Sequence, residues 1–242
     1  MKSSNPALTA KAFENYTLES AQQDVMTLSG TINKTGILFA LAVSAATISW
    51  RNPQISMLLI LIGFLGGFAM AIITSLKKNW SPVTTPIYAL LQGAALGGIS
   101  LIFEQMFDGI VMNALLLTFG VMLIMLTAYK TGVINPTEKF KAGVVSATGA
   151  IALAYLASMA LRLFGVQTSF FSGNSMMSIA ISGVIVVVAA LNLVLDFDFI
   201  ENASGKGLPK HMEWYAAFGL MVTLIWLYLE ILRLLAKLNS RR

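Results

Sequence analysis

Asp196, Asp198 and Glu201 place three carboxylates within six positions, at the close of an otherwise uncharged run from Met176 to Leu195. That run is built from Val, Ile, Ala and Ser and has about the 20 residues that a bilayer core requires. A carboxylate at mid-bilayer costs roughly 3 kcal/mol on insertion scales, and intramembrane acids usually face a bundle interior or a water path. On a helix, Asp196 and Asp198 point roughly 200° apart, so they cannot form an intrahelical pair. Asp196 is the deeper of the two and is expected to face inward. Asp198 is expected to reach headgroup water or cap the next loop, and Glu201 reads as a loop-end charge. Glu230 is the other candidate for a buried acid, and its i,i+3 spacing to Arg233 predicts an ion pair. Glu104 and Asp108 would add acid at the far end of a third span. A hydrated acidic lining of this kind favours a cation, and oxygen ligands suit a hard one such as calcium.

Other chemistries lack their residues. The chain has no cysteine and one histidine, His211. That excludes disulfides, Cys-ligated zinc, iron–sulfur clusters and the multi-histidine zinc sites of membrane hydrolases. No lysine sits midway along the last apolar run, where a retinal Schiff base would need one. The Gly-x-Gly-Asp arrangement of intramembrane aspartyl proteases is missing around Asp196 and Asp198. No catalytic residue, metal site or cofactor is therefore expected, and the chain does not read as an enzyme.

The elements that must position these acids follow from composition. Of 242 residues 57% are hydrophobic and 11% charged, against about 25% charged in soluble domains. This predicts an all-α polytopic membrane protein. A polar tail, residues 1–33, carries no signal-peptide pattern and precedes a membrane domain over residues 34–242. Seven spans are expected: Thr35 to Trp50, Ile55 to Leu76, Pro86 to Phe103, Ile110 to Tyr129, Ala142 to Leu161, Met176 to Ile200 and Trp214 to Leu235. All six prolines are expected in the tail or in loops, with Pro86 at the loop edge of the third span. Gly63-xxx-Gly67 and Gly93-xxx-Gly97 are small-xxx-small spacings that predict close helix packing.

Charge sets the expected orientation. Lys2, Lys11, Lys34, Lys77, Lys78, Lys130, Lys139, Lys141, Lys206 and Lys210 fall on the N-terminal side of this topology. On the other side the loops carry Arg51 and Arg162, and the C-terminal end adds Arg233, Lys237, Arg241 and Arg242. The positive-inside rule then puts the N-terminus in the cytoplasm and the C-terminus outside. A net charge of +5, spread over loops, fits lipid contact and offers no tract for nucleic acid.

Three stretches, in order, carry a resemblance. They are Met26 to Thr35 entering the first span, the acidic end of the sixth, and Lys210 to Gly219 leading into Leu227-Tyr228-Leu229-Glu230-Ile231-Leu232-Arg233. Together they resemble the Bax inhibitor-1 family (transmembrane Bax-inhibitor-motif proteins), in its bacterial YccA-like branch. The resemblance implies a bacterial inner-membrane protein of seven helices, the last one central and wrapped by the other six. It also implies a pH-sensitive calcium leak, gated by a carboxylate pair between the sixth and seventh helices. Asp196, ahead of Ile200, matches the sixth-helix member. For the seventh-helix member two registers stand. The family's Leu-Tyr-Leu-Asp string matches Leu227 to Glu230 by wording, whereas counting back from Arg233 by the family's spacing reaches Thr223. Glu230 lies about 10 Å beyond Thr223 along the helix. If Thr223 holds the position, no second carboxylate is present and a desolvated Asp196 alone is left to gate. The alternative function is a regulator of a membrane protease or stress response, docking a membrane-protein partner through residues 1–33.

Overall fold

The computed structural model describes residues 25–165, 173 and 175–241. Residues 1–24, most of the tail to which partner docking was assigned, lie outside the described residues. Among the described residues the chain forms seven long apolar helices: α1 Leu28–Arg51, α2 Pro53–Leu76, α3 Ser81–Met106, α4 Ile110–Lys130, α5 Glu138–Leu163, α6 Met176–Ser204 and α7 Met212–Asn239. No strand accompanies them, only an isolated bridge between Val25 and Pro209. The architecture is an all-α polytopic membrane protein.

Helix starts follow local chemistry. Thr27, Thr137 and Ser175 cap α1, α5 and α6 with side-chain oxygens that accept an early backbone N–H, which satisfies donors the helix itself leaves open. The caps explain why α1 and α5 begin before their apolar runs do. Leu28 to Lys34 belong to the first helix despite their polarity, because Thr27 starts it there. α6 likewise continues past Ile200 to Ser204, so Glu201 is a helical residue and not a loop-end charge.

The prolines require a correction. Pro53 and Pro82 occupy the first positions of α2 and α3, and Pro86 lies inside α3. The carbonyl that Pro86 leaves without a donor belongs to Pro82, in the opening turn, where the helix tolerates the loss best.

α7 is the central element. It packs directly on α1, α3, α4 and α6, while α2 lies behind α3 and α5 behind α6. One apolar core runs along α7 through Ala216, Leu220, Leu224, Leu227, Ile231 and Leu232, joined by Leu193 and Ile200 of α6 and Ile110 and Ala114 of α4. The α1–α3 contact is backbone to backbone. A Cβ on Gly93 would stand 2.2 Å from the Ala42 carbonyl oxygen, and one on Gly97 would stand 2.2 Å from that of Ala46. On α2, a Cβ on Gly63 would meet the Leu91 carbonyl oxygen at 2.3 Å. The glycine spacings therefore mark close helix packing, as expected.

α5 is held differently. Only Val144 of α5 is buried, and the helix is fastened by polar contacts. Lys141 Nζ lies 2.8 Å from Asp198 Oδ2, Asn192 donates to Thr148 Oγ1 at 2.8 Å, and Tyr155 donates to Glu230 Oε1 at 2.8 Å.

Candidate functional site

The three acids of α6 turn toward three different neighbours. Asp198 pairs with Lys141 of α5, which also reaches Glu138 at 3.3 Å. This pair lines a cavity of about 420 Å³ together with Lys206 and Asn202. Glu201 accepts a hydrogen bond from the Tyr129 hydroxyl of α4. Asp196 faces α7. The helical spacing that separates Asp196 from Asp198 sends one to the bundle centre and the other to its flank.

Asp196 is half-buried, and its Oδ2 is sealed from solvent with no hydrogen-bond partner among the described residues. Thr223 stands beside it on α7, within hydrogen-bonding reach of the carboxyl. The Thr223 hydroxyl makes a long bond to the Gly219 carbonyl at 3.3 Å, so its proton can turn from that carbonyl to Asp196. Gly219, one turn earlier, leaves room opposite the carboxyl, and a Cβ there would lie 4.0 Å from Asp196 Oδ1. Among the described residues no charged side chain pairs with Asp196.

Glu230 occupies a separate site. It is 2% exposed and accepts from Arg233 Nη1 at 3.0 and 3.1 Å, from Tyr155 at 2.8 Å and from the Trp226 indole at 3.3 Å. Arg233 also donates to the Tyr155 oxygen at 2.7 Å. The i,i+3 ion pair is present as predicted. With its oxygens taken this way, the residue that faces Asp196 from α7 is Thr223. Replacing Glu230 with Gln keeps an acceptor and removes the charge. The expected cost is about 1–2 kcal/mol, read as a lower thermal midpoint in detergent.

Glu104 is turned into the α3–α4 loop. Its Oε1 accepts from Gly109 N at 2.8 Å and its Oε2 from Val111 N at 3.0 Å. It thereby caps α4, whose own N-cap position is Gly109 at φ 76°, a residue without a side chain to do so. Nearby, Ser100 and Tyr228 share a buried hydrogen bond of 2.6 Å that ties α3 to α7.

Residue types alone did not single out Glu213. It is fully buried at the start of α7, with Lys34 Nζ 3.1 Å from Oε2. The backbone N–H of Thr27 donates to Oε1 at 3.0 Å and its hydroxyl donates there at 2.9 Å. The same hydroxyl accepts from Gly30 N. Met26 N donates to Leu208 O at 2.7 Å beside this cluster. Two of the three stretches that carry the family resemblance are thus in contact. A signal was available: α1 and α7 are both odd-numbered, so Lys34 and Glu213 lie at the same end with opposite charges.

A family model described as Bax inhibitor 1 like matches residues 5–240 of the chain. No curated protein matches it.

Proposed function

Because the chain belongs to the Bax inhibitor 1 like family, we propose that it is a pH-modulated leak for calcium or protons, with Asp196 as its gate. The reading places it in the bacterial YccA-like branch and in the inner membrane. The lysine-rich end and the N-terminus face the cytoplasm, and the C-terminus lies outside. Its work is transport and not catalysis.

The observation that carries this reading is the carboxyl of Asp196. It sits between two central helices with one oxygen unpartnered, in a solvent where an unpaired charge is costly. A passing cation supplies the missing partner, and carboxylate oxygen is a ligand suited to calcium. Thr223 and Gly219 are small, so an ion reaching the carboxyl has no bulky side chain to displace on the facing side of α7. With no second acid opposite among the described residues, the switch is the charge of one carboxyl and not a proton shared by a pair.

Purified protein in calcium-loaded vesicles tests this. Wild type is expected to leak above empty vesicles, with a rate that differs between acid and neutral pH. Asp196→Asn is expected to lose that difference, and Glu230→Gln to keep it. A wild type that does not leak at either pH overturns the reading and favours the regulatory alternative. An unaltered leak in Asp196→Asn overturns the assignment of the gate.

A further inference from the structure

The opposite end of the bundle from Glu213 holds a second concentration of charge. Arg162 of α5 and Arg233 and Lys237 of α7 line one cavity of about 490 Å³ there. Its positive charge is poorly balanced. Glu230 offsets Arg233. Lys237 is 5% exposed, and its Nζ donates to Ser178 O at 3.3 Å, Ser178 Oγ at 2.8 Å and Ser182 Oγ at 2.7 Å. All three acceptors are neutral. Among the described residues Arg162 makes no ion pair. Glu104 and Asp108, the acids nearest in sequence to this end of α3, do not line the cavity.

A buried ammonium held only by hydroxyls and a carbonyl is stabilised further by any anion brought near it. Two arginines beside it supply planar donors that fit phosphate oxygens better than a point charge does. Most of the remaining wall is apolar, with Tyr155, Ser158 and Ser240 as its other polar members. Met106 and Met159 line it and are 64% and 60% exposed, so the cavity opens beside the surface that acyl chains would cover.

We propose that this cavity binds a phosphate-bearing anion, either the headgroup of an anionic phospholipid or free phosphate. The site goes beyond the leak reading and does not depend on it, since Asp196 lies elsewhere on α6.

The experiment uses the purified full chain in neutral detergent. One arm adds phosphatidylglycerol, one phosphatidylcholine and one inorganic phosphate, and each is read by native mass spectrometry and by the shift in thermal midpoint. Wild type is expected to retain phosphatidylglycerol in preference to phosphatidylcholine. Arg162→Gln and Lys237→Met should each weaken that binding roughly fivefold, and Lys77→Gln at the other end should not. Arg162 is exposed and makes no ion pair among the described residues, so its variant tests the site without threatening the fold. If millimolar phosphate displaces the lipid or shifts the midpoint by itself, the site stands and a free anion is also a ligand. Equal binding of both anions by wild type and Arg162→Gln overturns the proposal. So does a wild type that prefers neither anion over phosphatidylcholine.

Discussion

Valine in place of Gly93 or Gly97 is expected to prevent α1 from docking on α3. The added Cβ of either variant would stand 2.2 Å from a carbonyl oxygen and 2.6 Å from a Cα of α1. Backbone atoms cannot rotate aside as a side chain does, so relief requires separating the two helices along the contact. Overpacking of this kind costs up to about 3 kcal/mol in soluble cores, and here the same displacement opens neighbouring contacts on α7. In a bilayer no hydrophobic effect draws the separated helices back together, because lipid is as apolar as the lost contact. The expected result is loss of monodisperse folded protein after extraction, read by size exclusion and thermal midpoint. Gly120→Val and Gly149→Val are the controls, since a Cβ at either position meets nothing within 4 Å. Equal stability in both sets would show that α1 and α3 do not meet through these glycines.

Glu213→Leu carries the second large effect. The substitution removes one acceptor shared by the Thr27 N–H and hydroxyl, together with the partner of Lys34. Breaking a buried pair costs about 3–5 kcal/mol. The lower end applies because the Lys34 side chain is 23% exposed and can turn to water. The damage should be local first. The Met26 and Thr27 amides are expected to lose hydrogen-exchange protection while α6 and the rest of α7 retain theirs. Glu213→Gln should fall between Leu and wild type, keeping the bonds to Thr27 and losing the charge. Gly30→Ala reaches the same end by another route, because its Cβ would lie 2.0 Å from Glu213 Oε1. Unchanged protection at Met26 in both Glu213→Leu and Gly30→Ala would contradict the arrangement.

The seven spans could be read from the sequence because bilayer thickness fixes helix length and charge marks the ends. Their starts were less legible. α1 begins at a capping threonine and not at the first apolar residue, and α3 runs through Pro86 because the proline falls where its missing N–H matters least. Asp196 was recognisable as a costly residue, and the helical period separated it from Asp198. Which residue of α7 faces it was only half legible: depth along the helix leaned to Thr223, the wording of the string to Glu230, and packing against α6 and α5 decides between them. The cluster of Lys34, Thr27 and Glu213 escaped residue-by-residue reading for the same reason. Its members lie far apart in sequence and become neighbours only when α1 and α7 close against each other.

The polar fastenings of α5 have one further consequence. Lys141, Thr148 and Tyr155 recur every seven residues, and Arg162 continues the series. Successive members are about 10 Å apart along the axis and drift only ~20° per repeat around it. Three depths of one helix are therefore keyed at once, like teeth on a rack. Sliding α5 by a single turn, about 5.4 Å, would disengage every tooth together. A thinner or thicker bilayer is then met by tilting of α5 together with α6 and α7, which hold its teeth, and not by slippage of α5 along them.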